Sequence, residues 1–145
     1  MCWNGYRIQR RVAEKDIEVY KIVIRANKRS CVSIIKNFNY TANILYKIST
    51  LECDETARRY GTLKIEKAYH SYTGVQFVCN SAFHIVNGIY KCKRIIRGNR
   101  RMFVPFENDS YIATFIIPKG TVYTINSYGE IVSNKIMYTG KYLKL

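Results

Sequence analysis

The stretch from Tyr111 to Tyr138 limits the possible folds more than any other part of the chain. Tyr111 to Ile117 reads Y-I-A-T-F-I-I, nearly all apolar or β-branched, the composition of a strand in the middle of a sheet. Pro118-Lys119-Gly120 turns the chain into Thr121 to Ile125, and Asn126-Ser127-Tyr128-Gly129 turns it again into Glu130 to Tyr138. A succession of short β-forming runs cut by turn residues demands a sheet.

Similar runs occur upstream. Ile17 to Arg25 (I-E-V-Y-K-I-V-I-R) reads as a strand, Ala26 to Ser30 as a turn, and Cys31 to Lys36 as a second strand. Asn37-Phe38-Asn39 breaks that run, Ile44 to Ser49 forms a third, and Thr62 to Tyr69 a fourth, with Leu63 and Ile65 on one face. Asp54 to Tyr60 reads as one helical turn ending near Gly61. The 13 Tyr and only 2 Pro agree with a strand-rich chain.

One segment carries a different period. Val75, Val78, Cys79, Ala82, Val86 and Ile89 fall at helical spacing, which predicts the main helix over 75–88, with Gly88 suited to its end. Beyond it, Ile89 to Ile96 and Met102 to Phe106 flank Arg97-Gly98-Asn99-Arg100 and predict a hairpin. The expected class is α+β: an antiparallel or mixed sheet of about seven to nine strands with one main helix. At 145 residues the chain is expected to form a single domain over 1–145. A chain of that size buries roughly two-thirds of its unfolded surface and needs no metal or disulfide staple.

Charge narrows the function. The 24 Lys plus Arg against 10 Asp plus Glu give a net charge of +14, and self-repulsion at that level is offset by an anionic partner. Nucleic acid, a nucleotide, an acidic protein or an anionic surface would each serve. The segment 91–101 is densest: Lys91, Lys93, Arg94, Arg97, Arg100 and Arg101. On a hairpin, Arg97 and Arg100 would flank the tip with Arg94 and Arg101 behind, and planar guanidinium forks match phosphate oxygens. Tyr90, Phe103 and Phe106 are near enough in sequence to stack on bases. Arg7, Arg10 and Arg11, then Lys28-Arg29, then Arg58-Arg59 are weaker basic groups, which form a site only if they converge.

Other chemistries find less support. The five cysteines (Cys2, Cys31, Cys53, Cys79, Cys92) show no C-x-x-C and no zinc spacing with His70 or His84, so free thiols and no metal are expected. P-loop and dinucleotide fingerprints are absent. No apolar run approaches the roughly 20 residues of a membrane span, and the first residues lack an apolar leader, so the expectation is a cytoplasmic protein without membrane contact. Cys2 would become an N-terminal nucleophile if Met1 were removed, but Trp3 stands where amidotransferases of that kind carry Gly.

Two resemblances add expectations. Met1-Cys2, Asp16-Ile17, Tyr69-His70-Ser71-Tyr72, Ile117-Pro118-Lys119-Gly120-Thr121, Gly129-Glu130 and Val132-Ser133 resemble residues of a group of small phage and gut-bacterial proteins. The likeness implies a shared fold without a known activity and suits an accessory or anti-defence role, such as sequestering a nucleotide immune signal in the host cytoplasm. Tyr69-His70-Ser71 and the late Glu130-Ile131-Val132 are also similar to motifs of ADP-ribosyltransferases of the His-Tyr-Glu type. That resemblance implies NAD as cofactor and His70, Tyr90 and Glu130 as catalytic residues, with Tyr72 competing for the place of Tyr90, although Ser71 replaces the usual Gly. The leading expectation is a non-enzymatic binder of a phosphate-bearing ligand, nucleotide or nucleic acid, held by Arg94, Arg97, Arg100 and Arg101 with Lys91 and Lys93. The alternatives are the NAD-dependent transferase and a protein that docks on an acidic host defence protein.

Overall fold

In a computed structural model the chain is mostly antiparallel β-sheet with one short helix. The structure describes residues 3–5, 8–33, 38–47, 66–70, 74–79, 83–98 and 110–144. In chain order the elements are β1 (Trp3–Gly5), β2 (Ile8–Val12), β3 (Ile17–Ala26), β4 (Ser30–Ser33), β5 (Asn39–Thr41), β6 (Leu45–Lys47), β7 (Glu66–His70), β8 (Gly74–Cys79) and β9 (Phe83–Val86). Then follow α1 (Ile89–Gly98), β10 (Tyr111–Ile117), β11 (Val122–Asn126), β12 (Glu130–Ser133) and β13 (Lys135–Lys144). Ten strands form one sheet in the order β2-β11-β12-β9-β3-β10-β13-β6, with β4 and β5 branching from β3. A second sheet has the order β1-β8-β7. The balance is nearer all-β than the α+β expected.

The strand β10 is central, as its composition requires. It pairs with β3 from Tyr111↔Val23 to Ile117↔Ile17 and with β13 on its other edge, with a register shift between Ala113 and Phe115. Ile112, Ala113, Phe115 and Ile117 are all buried. Phe115 anchors an aromatic cluster, meeting the Tyr40 ring edge-on at 5.0 Å and the Tyr138 ring at 5.4 Å. Tyr40 in turn meets Tyr46 at 5.3 Å and Phe83 at 6.1 Å. Each such pair adds about 0.5–1.5 kcal/mol beyond the area it buries.

The branch through β4 and β5 comes back to β13. The Tyr138 hydroxyl donates to the Asn27 carbonyl at 2.8 Å, and the Asn43 amide donates to the Tyr138 carbonyl at 2.9 Å. Gly140, at φ +83°, lets the chain pass the β3–β4 turn so closely that a Cβ there would lie 2.7 Å from the Lys28 carbonyl oxygen. Only glycine meets both demands cheaply.

Two expectations fail together between residues 75 and 98. The predicted helix over 75–88 is two strands, β8 and β9, and the predicted strand from Ile89 is the helix α1. The apolar residues of G-V-Q-F-V-C satisfy a period of two, with Val75, Phe77 and Cys79, as well as the helical stripe. Ladders to β1 and β7 for β8, and to β12 and β3 for β9, decide in favour of strands. In α1 the apolar residues Ile89, Cys92 and Ile95 recur every three positions, close to the roughly 3.6 residues of a helical turn. Cys92 is buried against Val86 and Ile112, with Tyr20, Ile22 and Ile95 packed around them. The hairpin drawn around Arg97 is therefore absent up to Gly98, and its second half, Met102 to Phe106, lies outside the described residues. So does the helical turn expected at Asp54 to Tyr60.

Candidate functional site

The helix α1 sorts its residues by chemistry. Its apolar stripe faces the sheet, while Tyr90, Lys93, Arg94 and Arg97 are exposed and Lys91 is half-buried at one flank. Arg97 in the last turn faces the negative end of the helix dipole. Lys91 and Arg94, three positions apart, lie one above the other. Four of the six expected phosphate-binding residues thus share one helical surface, Lys91, Lys93, Arg94 and Arg97; Arg100 and Arg101 lie outside the described residues.

Opposite the helix stands the turn between β11 and β12. The Gly129 amide donates to the Asn126 carbonyl at 3.1 Å, and the Asn126 Oδ1 accepts the amides of Tyr128 and Glu130, each at 3.0 Å. The buried asparagine thereby fixes the turn from within, a role short polar side chains play well. Gly129 takes φ +76°. The turn is tied to the helix entry because the Asn87 amide donates to the Gly129 carbonyl at 3.1 Å.

Helix and turn enclose a shallow recess of about 160 Å³ lined by Lys91, Arg94, Ile95, Tyr128 and Glu130. The Tyr128 ring is 58% exposed at its rim. Glu130 is half-buried, and burial raises its carboxyl above the ordinary carboxylate value; the Asn126 side-chain hydrogen bond and the Lys91 charge oppose that rise. One recess therefore offers two cations, an aromatic face and a partly desolvated carboxylate.

Sheet register extends the same face. Cross-strand partners point to the same side, so the row Asn126↔Ile8 and Glu130↔Val86, followed by Val86↔Tyr20, runs from the edge strand β2 to the residues under the helix. Arg10, exposed and paired with Thr124, belongs to this face. Lys28 and Arg29 are exposed in the β3–β4 turn, which is tied instead to β13. Arg7, Arg58 and Arg59 lie outside the described residues.

The residues of the transferase alternative are placed as follows. His70 ends β7 in the three-stranded sheet, opposite Gly74; Tyr90 is in the first turn of α1, 66% exposed; Glu130 opens β12 in the ten-stranded sheet. The groups described around Glu130 are Lys91, Arg94, Ile95 and Tyr128. Among the described residues no cluster of three or more His, Cys, Asp or Glu is placed to hold a metal, and no helix is long and apolar enough to cross a membrane. Sequence reading missed Tyr128 and Asn126; the available signal was an aromatic residue inside an N-S-Y-G turn. Comparison with protein-family models, with curated proteins and with solved structures finds no match to this chain.

Proposed function

We propose that this chain binds a phosphate-bearing ligand, a nucleotide or a nucleic acid, without transforming it. The observation that carries the reading is the pairing of Lys91 and Arg94 one turn apart on α1, both lining the recess under Tyr128. An arginine fork and a lysine charge placed together suit phosphate oxygens, and an exposed aromatic ring beside them suits a base. Lys93 and Arg97 on the outward helix surface extend the cationic field beyond the recess. The net charge of +14 supplies long-range attraction for such a ligand.

The test is salt-dependent binding of labelled mononucleotides and a short single-stranded oligonucleotide, followed by fluorescence anisotropy. Affinity is expected to fall steeply between about 50 and about 200 mM salt, and the slope to shrink by about one for each phosphate contact removed. Lys91→Ala with Arg94→Ala should weaken binding about tenfold or more. Lys28→Ala with Arg29→Ala removes the same charge from the β3–β4 turn and should do much less. Equal losses in the two double variants would reduce the site to a general cationic surface.

A further inference from the structure

The recess is not uniformly basic. A carboxylate beside a phosphate site repels phosphate, so Glu130 faces some other part of the ligand, one that carries N–H donors. Its orientation is fixed in advance: the Asn126 side chain hydrogen-bonds the Glu130 carboxylate, and Asn126 is itself locked by the Tyr128 and Glu130 amides. A half-buried carboxylate gains more than an exposed one from ligand donors, because some of its water has already been displaced. At about 160 Å³ the recess is well below the roughly 300 Å³ of a pocket that engulfs a drug-sized molecule. It takes one end of a ligand and leaves the remainder along the helix.

From this arrangement we infer that the recess reads a guanine base, with the attached phosphate held by the basic surface of α1; the inference rests on the phosphate-ligand reading above. Among the common bases, guanine alone presents two adjacent N–H donors, N1–H and the N2 amine, that match the two oxygens of a carboxylate. Adenine and cytosine offer a single exocyclic amine, and uracil a single imide N–H. Tyr128 at the rim offers the ring on which the base stacks. Glu130 sets which base enters, and Lys91, Arg94 and Arg97 set that a phosphate comes with it.

Calorimetric titration with GMP, IMP, AMP, CMP and UMP tests this on the full chain. GMP should bind about tenfold or more tighter than AMP, and IMP, which lacks only the N2 amine, should fall between them. Glu130→Gln keeps size and shape but loses the acceptor pair and a charge that repels phosphate; it should abolish the preference of GMP over AMP, with AMP held at least as tightly as by the wild type, and an unchanged urea-unfolding midpoint reports an intact fold. A guanine-containing oligonucleotide in a parallel titration separates a free nucleotide from a base exposed in a strand: guanine preference in either arm supports the inference and names the source. Equal affinities for all bases, in the wild type and in Glu130→Gln alike, with a loss on Lys91→Ala with Arg94→Ala, would overturn the guanine reading and leave phosphate binding standing. No binding of any nucleotide or oligonucleotide would overturn both.

Discussion

The Lys91 ammonium lies over Gly129, in the space a side chain at that position would fill. The Asn87 Oδ1 is there as well, 2.5 Å from where a Cβ would stand. Helix and turn therefore meet on a glycine that serves twice: it adopts φ +76°, and it leaves room for the lysine that lines the recess.

Gly129→Ala tests both demands. The left-handed backbone costs an alanine about 1–2 kcal/mol, and the methyl group pushes Lys91 and Asn87 aside. Urea unfolding should register the stability loss, and phosphate-ligand affinity should fall with it. A variant equal to wild type in both would show that neither the turn nor the lysine depends on this contact.

Tyr138 closes the sheet against the β3–β4 turn. Its ring is fully buried, and burial pushes the phenol up to about 12 while the hydroxyl donates to the Asn27 carbonyl. Tyr138→Phe keeps the ring but removes the only donor described for that carbonyl, and should cost about 1 kcal/mol in urea unfolding. An unchanged midpoint would mean that packing alone closes the sheet.

Stability should also depend on pH in a particular way. Strand alternation places Lys21 on the face of Val19 and Val23, both fully buried, and burial lowers its ammonium to about 8. A base whose folded pKa lies below its unfolded value of about 10.5 loses its proton on folding between the two. Stability therefore rises with pH from about 8. The buried thiols Cys31 and Cys92 act oppositely: both are raised from 9.0 to about 12 by burial, so the unfolded chain ionises first and stability falls above 9. Unfolding midpoints should peak near pH 9, and Lys21→Met should abolish the rise on the acid side while keeping the fall on the alkaline side. A flat profile from neutrality to pH 9 in the wild type would contradict the placement of Lys21.

What the sequence disclosed follows from how many solutions each segment allowed. Tyr111 to Ile117 allowed one: seven apolar or β-branched residues between turn signals form the central strand where expected. Pro118-Lys119-Gly120 and Asn126 to Gly129 turn as read, but Glu130 to Tyr138, read as one strand, divides at Asn134 into β12 and β13, which the sheet order separates by β9, β3 and β10. Ile17 to Arg25 matches β3 to within one residue. The segments 75–89 and 89–98 each allowed two. Cys79 and Val86 fit either period, and in I-Y-K-C-K-R-I-I-R the β-branched residues hid a helical stripe that becomes decisive only once Cys92 has Val86 and Ile112 to pack against. The basic residues of the candidate site were visible as charge. Tyr128 was not singled out, and Glu130 was singled out only for the transferase alternative, because a turn more than thirty residues away comes beside the basic residues through the β9–β12 pairing.

Amide chemical shifts during titration with GMP test the central claim most directly, because they report location as well as binding. The account predicts that the first and largest changes fall on residues 89–98 and 126–130, where helix and turn face each other. Saturable binding whose changes lie on the β3–β4 turn or along β13, with α1 and Tyr128 unmoved, would contradict it.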